Sequence, residues 1–162
     1  MNHQETLQKA KNFALNLLSY RPRSIREMTA RLQQRGFEGD VIEAVIGFLV
    51  EYDFINDEVY AKNWVQCRCK AKPMGKARLR MEMQQKGLNR GTIDRALALL
   101  APDEEYNMAL SLAEKKIQRQ PTSRNMEKIK TFLYRRGFAP ELILRIIKEL
   151  ECQNLDSDRK NL

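Results

Sequence analysis

Cys67 and Cys69 are the first residues whose types and spacing invite chemistry, since two thiolates two positions apart could begin a metal site. On a helix they point about 200° apart at roughly 100° per residue. That places Cys67 on a stripe with Tyr60, Trp64 and Ala71, and Cys69 on the opposite side. A structural zinc needs four converging ligands, and beyond these two the sequence offers only Cys152 and the lone His3, which reads as a solvated side chain. There is no glycine-rich phosphate loop, no serine or cysteine with a histidine placed to activate it, and no carboxylate pair spaced for shared acid and base duty. The expectation is a protein without metal, cofactor or enzymatic activity.

Charge carries more information, because it is unevenly spread. Over residues 1–56 seven basic side chains balance seven acidic ones, and over 101–162 twelve face ten. Residues 57–100 carry ten basic side chains against four acidic ones, a net of +6 out of the chain's +8. Lys62, Gln66 and Lys70 form a row at four-residue spacing away from the aromatic stripe. Lys76 and Arg80 lie beside a Leu79/Met83 stripe, with Arg78 towards the other flank. The run from Arg68 through Lys70, Lys72 and the Pro73-Met74-Gly75 turn to Arg80 therefore reads as a basic elbow, in which Gly75 permits close backbone approach. A concentrated positive field attracts phosphates or an acidic protein surface. The candidate contact residues are Lys62, Arg68, Lys70, Lys72, Lys76, Arg78, Arg80 and Lys86.

The elements that must position these charges follow from a pattern that occurs three times. It runs apolar, two polar, basic, glycine, apolar: Leu32 to Phe37, Met83 to Leu88, and Leu133 to Phe138. A recurrence of about fifty residues is the signature of a tandem array of supersecondary units. Met28, Leu79 and Ile129 take equivalent places, as do Leu32, Met83 and Leu133, so each copy sits at the end of an amphipathic helix. The sets Val41/Ile42/Val45/Ile46/Leu49, Thr92/Ile93/Ala96/Leu97/Leu100 and Leu142/Ile143/Ile146/Ile147/Leu150 then repeat a helical apolar stripe. A longer helix precedes each pair, over Leu7 to Ser19, Asp57 to Ala71 and Glu105 to Gln118.

The punctuation agrees. Pro22, Pro73 and Pro121 stop the first helix of each unit, and Ser24 with Glu27 can form a capping box. Gly36, Gly87 and Gly137 suit the left-handed position after a helix, with the preceding basic residue facing the negative end of the helix dipole. The predicted fold is all-α, three tandem three-helix repeats with helix-turn-helix-like units, at residues 1–52, 53–101 and 102–151, followed by a polar tail at 152–162. No apolar run approaches bilayer-spanning length, and the amino terminus lacks the apolar core of a signal peptide. A soluble, cytoplasmic monomer with no membrane partner is expected.

A base-reading unit would display basic and amide side chains on its third helix. The third helix of the first repeat carries only acids, Asp40 and Glu43, and in that of the third repeat Arg145 and Lys148 are offset by Glu141 and Glu149. Contact with single- or double-stranded DNA would thus be to phosphates and non-specific. A DNA-binding transcriptional regulator and a structural scaffold for another complex remain the alternative readings.

The order of several segments resembles a known family. Arg21-Pro22-Arg23-Ser24 with Glu27-Met28 and Leu32 to Phe37, then Tyr52 to Ala61 with Trp64, then Arg68-Cys69-Lys70 with Gly75, Leu79, Glu82, Met83 and Gly87, resemble the RecX family over roughly residues 10–150. The resemblance implies an elongated, curved arrangement of three-helix units. It also implies a negative regulator that binds the RecA recombinase filament and suppresses its extension, strand exchange and coprotease function. The basic elbow would then face the filament groove. Reversing the charge of Arg78 and Arg80 together is expected to weaken filament binding with helix content unchanged by circular dichroism, and unchanged inhibition would remove the elbow from the mechanism.

Overall fold

The computed structural model describes residues 3–117 and 123–160. Among them the elements are helices: α1 (His3–Tyr20), α2 (Ile25–Gln34), α3 (Gly39–Glu51), α4 (Asp57–Ala71), α5 (Lys76–Gln85), α6 (Arg90–Ala98), α7 (Pro102–Ile117), α8 (Ser123–Arg135) and α9 (Pro140–Lys160). The all-α reading with three helices per repeat holds. Pro22 and Pro73 fall in the turns after α1 and α4, while Pro121 and Gln118 lie outside the described residues.

The equivalent positions of the repeats are the core. Met28, Leu79 and Ile129, and likewise Leu32, Met83 and Leu133, are fully buried. Each second helix ends in the same hydrogen-bonded turn. The N–H of Gly36, Gly87 and Gly137 donates to the carbonyl three residues back at 2.9 Å, and the next N–H donates to the carbonyl five back at 3.2 Å. This double bond pair requires a left-handed residue, and the glycines adopt φ of +88°, +80° and +82°. The end of α3 uses the same turn with Asp53 at φ +56° in place of glycine.

Two expectations need correction. The buried side of α4 is Tyr60, Ala61 and Val65 with Trp64 half-buried, whereas Cys67 and Ala71 are exposed and Cys69 is half-buried. The aromatic stripe therefore continues through Cys69, because the helix buries adjacent pairs four residues apart and not a single file. The stretch expected as a polar tail is helical as far as Lys160. Leu150 is buried and residues 151–153 are exposed; nothing in the following sequence breaks a helix, and adding residues to a formed helix is nearly free.

The chain divides into two compact units, Met1–Trp64 with Met83–Ala96 and Val65–Glu82 with Leu97–Leu162, so the central repeat contributes to both. In the first unit α1, α2 and α3 close around Ala10, Ala14, Met28, Leu32, Val45 and Leu49. In the second, α7, α8 and α9 close around Ala109, Ala113, Ile129, Leu133, Phe138 and Ile146.

One docking arrangement occurs in each unit. In the first, the start of α2 meets the Gly87 turn: the Ser24 hydroxyl donates to the Lys86 carbonyl (2.6 Å), and Asp57 Oδ1 accepts from the Ile25 N–H (2.9 Å). In the second, the start of α5 meets the Gly137 turn. The Gly75 N–H donates to the Arg136 carbonyl (2.9 Å), the Ala77 N–H donates to that of Gly137 (3.2 Å), and Glu105 Oε1 accepts from the Lys76 N–H (2.9 Å). A Cβ on Gly87 would meet the Arg26 side chain, with Cγ at 2.7 Å, and one on Gly137 would meet the backbone of Arg78, with Cα at 2.9 Å. One on Gly36 would meet nothing within 4 Å among the described residues.

An ordering of costs follows. Gly36→Ala should lose about 1–2 kcal/mol, the left-handed term alone. Gly137→Ala and Gly87→Ala should each lose a further ~1–3 kcal/mol because backbone must move, the Arg26 Cβ lying 2.6 Å from a Cβ on Gly87. Urea unfolding midpoints of the three variants check the order.

Candidate partner interface

The eight candidate cations do not form one uniform surface. Lys62 and Lys86 belong to the first compact unit and the other six to the second.

Lys86 in the first unit is a structural cation. Its Nζ contacts Glu27 Oε1 at 3.0 Å and lies 5.3 Å from the centre of the Trp64 ring. Glu27 is the hub of this region. It completes the expected capping box, with its N–H donating to Ser24 Oγ (3.1 Å) and its Oε2 accepting from the Ser24 N–H (3.3 Å). It also accepts from Arg21 Nη2 (3.3 Å) and from the Tyr60 hydroxyl (3.4 Å). Burial alone would raise its pKa, but the hydrogen bonds from Arg21, Lys86 and the Ser24 backbone outweigh burial and hold the carboxyl at about 2. Burial, with the charge of Glu27, pushes the Tyr60 phenol up to about 12. Nearby, Glu58 accepts from Thr92 Oγ1 (2.7 Å) and Arg95 Nε (3.2 Å), and those bonds hold its carboxyl at about 2. Lys62 is exposed.

In the second unit the elbow is partly neutralised. Glu82 takes Arg68 Nε at 2.9 Å and Arg78 Nε at 3.7 Å, so two of the expected contact residues are paired within the chain. The turn between α4 and α5 is itself docked: Met74 is buried, and Arg136 Nη1 donates to the Pro73 carbonyl (3.0 Å). The close approach that Gly75 was expected to permit is real, but the approaching group is the chain's own Gly137 turn, and a Cβ on Gly75 would meet Phe138 N at 2.5 Å. Lys76 and Arg80 are half-buried, while Lys70 and Lys72 stand exposed at the end of α4 and just beyond it. The positive surface of this unit is thus best represented by Lys70 and Lys72. Burial and the charges of Glu104 and Glu105 raise the pKa of Cys69 next to them, which disfavours its thiolate. No cluster of histidine, cysteine or carboxylate side chains able to hold a metal occurs among the described residues.

Reading the sequence alone misses the residues that fix the geometry. Lys86 and Arg136, read as complements to a helix dipole, instead reach the neighbouring repeat through Glu27 and the Pro73 carbonyl. Asp57 and Glu105 supply the external caps. A usable signal was present: each sits in the first turn of the helix that opens the following repeat.

This arrangement has close counterparts. Successive segments match the family models described as the first, second and third three-helix domains of RecX, over residues 10–49, 56–97 and 103–147. The chain belongs to the RecX family. It is 34% identical over 145 residues to the regulatory protein RecX of Clostridioides difficile, covering 88% of this chain and 68% of that one. To the regulatory protein RecX of Thermobifida fusca it is 29% identical over 154 residues, covering 93% and 83%. Its fold matches the crystal structure of RecX from Lactobacillus salivarius with a TM-score of 0.86 at 30% identity, covering 92% of this chain and 99% of the other. In this RecX-family chain, as in those relatives by name, the role is regulatory, and no helix among the described residues is long and apolar enough to cross a membrane.

Glu27 gives a pH-resolved prediction. Its folded pKa, about 2, lies below its ordinary value of 4.5. Its contribution is therefore fully present above pH 4.5 and is lost as pH falls through that window towards 2. Glu27→Gln should cost about 1–3 kcal/mol at neutral pH through lost charge-assisted bonds. It should also flatten the acid limb of the stability curve between those two values, as read by chemical denaturation at a series of pH values.

Proposed function

We propose that this RecX-family chain is a negative regulator of the RecA recombinase, binding the RecA–DNA filament in its groove and restraining filament extension, strand exchange and coprotease activity. The observation that carries the reading is the concentration of positive charge on the central repeat, a net of +6 over residues 57–100, within a chain of this family. Lys70 and Lys72 are exposed in the second unit, with Lys76, Arg78 and Arg80 on the following helix. These cations would face acidic protein surface and DNA phosphates, contacts that carry no base readout.

Three tandem repeats on one chain also supply a means of restraint. Once one repeat is bound, the others meet neighbouring subunits at high effective concentration, so individually weak contacts add. Preferential binding to one filament state shifts the assembly equilibrium only by the difference in affinity between states. A groove occupied in this way blocks the approach of a homologous duplex and disfavours the addition of subunits.

The test compares wild type with Lys70→Glu/Lys72→Glu in binding to RecA filaments on single-stranded DNA and in inhibition of strand exchange. Because neither lysine is buried, the variant should keep its helix content and thermal midpoint while binding weakens by roughly tenfold or more at low salt. Inhibition equal to wild type would exclude this surface. Tight binding to one duplex over random DNA, with no effect on RecA, would replace the reading with that of a sequence-specific regulator.

A further inference from the structure

Arg23 is a buried cation without a carboxylate on it. It is 8% exposed, and the hydrogen bond it makes among the described residues runs from Nε to the Leu17 carbonyl at a long 3.5 Å. The neighbouring guanidinium groups turn elsewhere, Arg21 onto Glu27 (3.3 Å) and Arg31 onto Gln34 (3.2 Å). Burial, and then the like charges of Arg21 and Arg31, lower its pKa from the ordinary arginine value. A guanidinium has five donors and does not give up its charge, so burying one unpaired is costly. Among the described residues no fully enclosed side-chain nitrogen or oxygen lacks a partner. The two Nη groups of Arg23 therefore keep an opening.

Arg23 also lines a cavity of about 170 Å³ in the first unit, together with Pro22, Phe54, Ile55, Val59 and Asn63. Its walls are mixed, with Phe54, Ile55 and Val59 beside Asn56, Tyr60 and Asn63. Phe54 and Val59 are about half exposed, at 51% and 49%. Phe54 continues into an aromatic cluster, its ring centre 6.0 Å from that of Phe48, which in turn lies 4.9 Å from the exposed Tyr52. Asp53 is also on the lining, held by Asn56 Nδ2 at 3.1 Å.

We propose that this cavity receives an acidic side chain of a partner protein, its carboxylate taking the Nη donors of Arg23 and an adjacent apolar residue covering Phe54 and Val59. A planar guanidinium fork matches a carboxylate in two parallel bonds, and Phe54 and Val59 on the same lining offer an apolar contact beside it. A nucleic-acid backbone fits poorly, since a cavity of about 170 Å³ with one guanidinium admits a single anionic group and not a run of phosphates. The inference does not rest on the RecA reading, and its test uses no RecA.

The test is an NMR titration of the full chain with the blocked dipeptide acetyl-Glu-Leu-amide, with acetyl-Gln-Leu-amide and a short oligothymidylate as comparisons. The glutamate peptide should shift the Arg23 Nε–H, Phe54 and Val59 signals and bind at least fivefold tighter than the glutamine peptide. Asn63→Asp, at an exposed position, should weaken the glutamate peptide at least fivefold with its melting temperature unchanged. Arg23→Met should abolish discrimination between the two peptides while the melting temperature holds or rises. Equal binding of both peptides, stronger shifts with oligothymidylate, or no shift with any probe would overturn the proposal. So would Asn63→Asp binding like wild type, including where Arg23→Met unfolds, since Arg23 would then serve only to cap α1.

Discussion

The structure depends on seating the first turn of one repeat's second helix onto the glycine turn of the next repeat. The contact joins two sets of backbone groups that a helix leaves unsatisfied, donors at its start and acceptors around its end. In the first unit the Ser24 hydroxyl reaches the Lys86 carbonyl, and in the second the Gly75 N–H reaches that of Arg136. A carboxylate from the following repeat, Asp57 or Glu105, takes the remaining N–H in each case. Burial raises the pKa of Asp57, against the hydrogen bond from Ile25, which shows that this cap is bought with partial desolvation. Because a polar helix start can be buried only when its donors are met, all of these groups must be placed together, and the repeats are held in register by that requirement.

The same contact explains why the charge of the central repeat is deployed as it is. Lys86, Arg68 and Arg78 serve internal pairs with Glu27 and Glu82, while Lys70 and Lys72, just before the Pro73-Met74-Gly75 turn, stand exposed. Met74 is buried and the turn is pinned by Arg136, so Lys70 and Lys72 project from a fixed base. A rigid base suits a contact surface, since less ordering is needed on binding.

Much of the fold was legible in the sequence because it is carried by periodic apolar residues and by glycines with a conformational reason to exist. The stripes from Met28 to Leu150 fall in the core as spaced, and the Ser24–Glu27 capping box forms. What was not legible depends on which groups face one another across repeats. Helical phase alone could not choose between Cys67 and Cys69 for the buried side of α4, nor assign Lys86 to Glu27, fifty-nine positions away in the chain. A sum of charges likewise registers Arg68, Arg78 and Glu82 without showing that the two guanidinium groups share one carboxylate. The helical continuation to Lys160 was missed because the sequence after Leu150 is mostly polar and shows no periodic apolar pattern.

The account's central claim is that this surface restrains RecA, and the most direct measurement is the rate of RecA ATP hydrolysis on single-stranded DNA with the chain present at well below one copy per RecA subunit. The account predicts that the rate falls, and that the inhibition weakens steadily as salt is raised from about 0.05 to 0.2 M and screens the contacts. A rate unchanged at every salt concentration would contradict it.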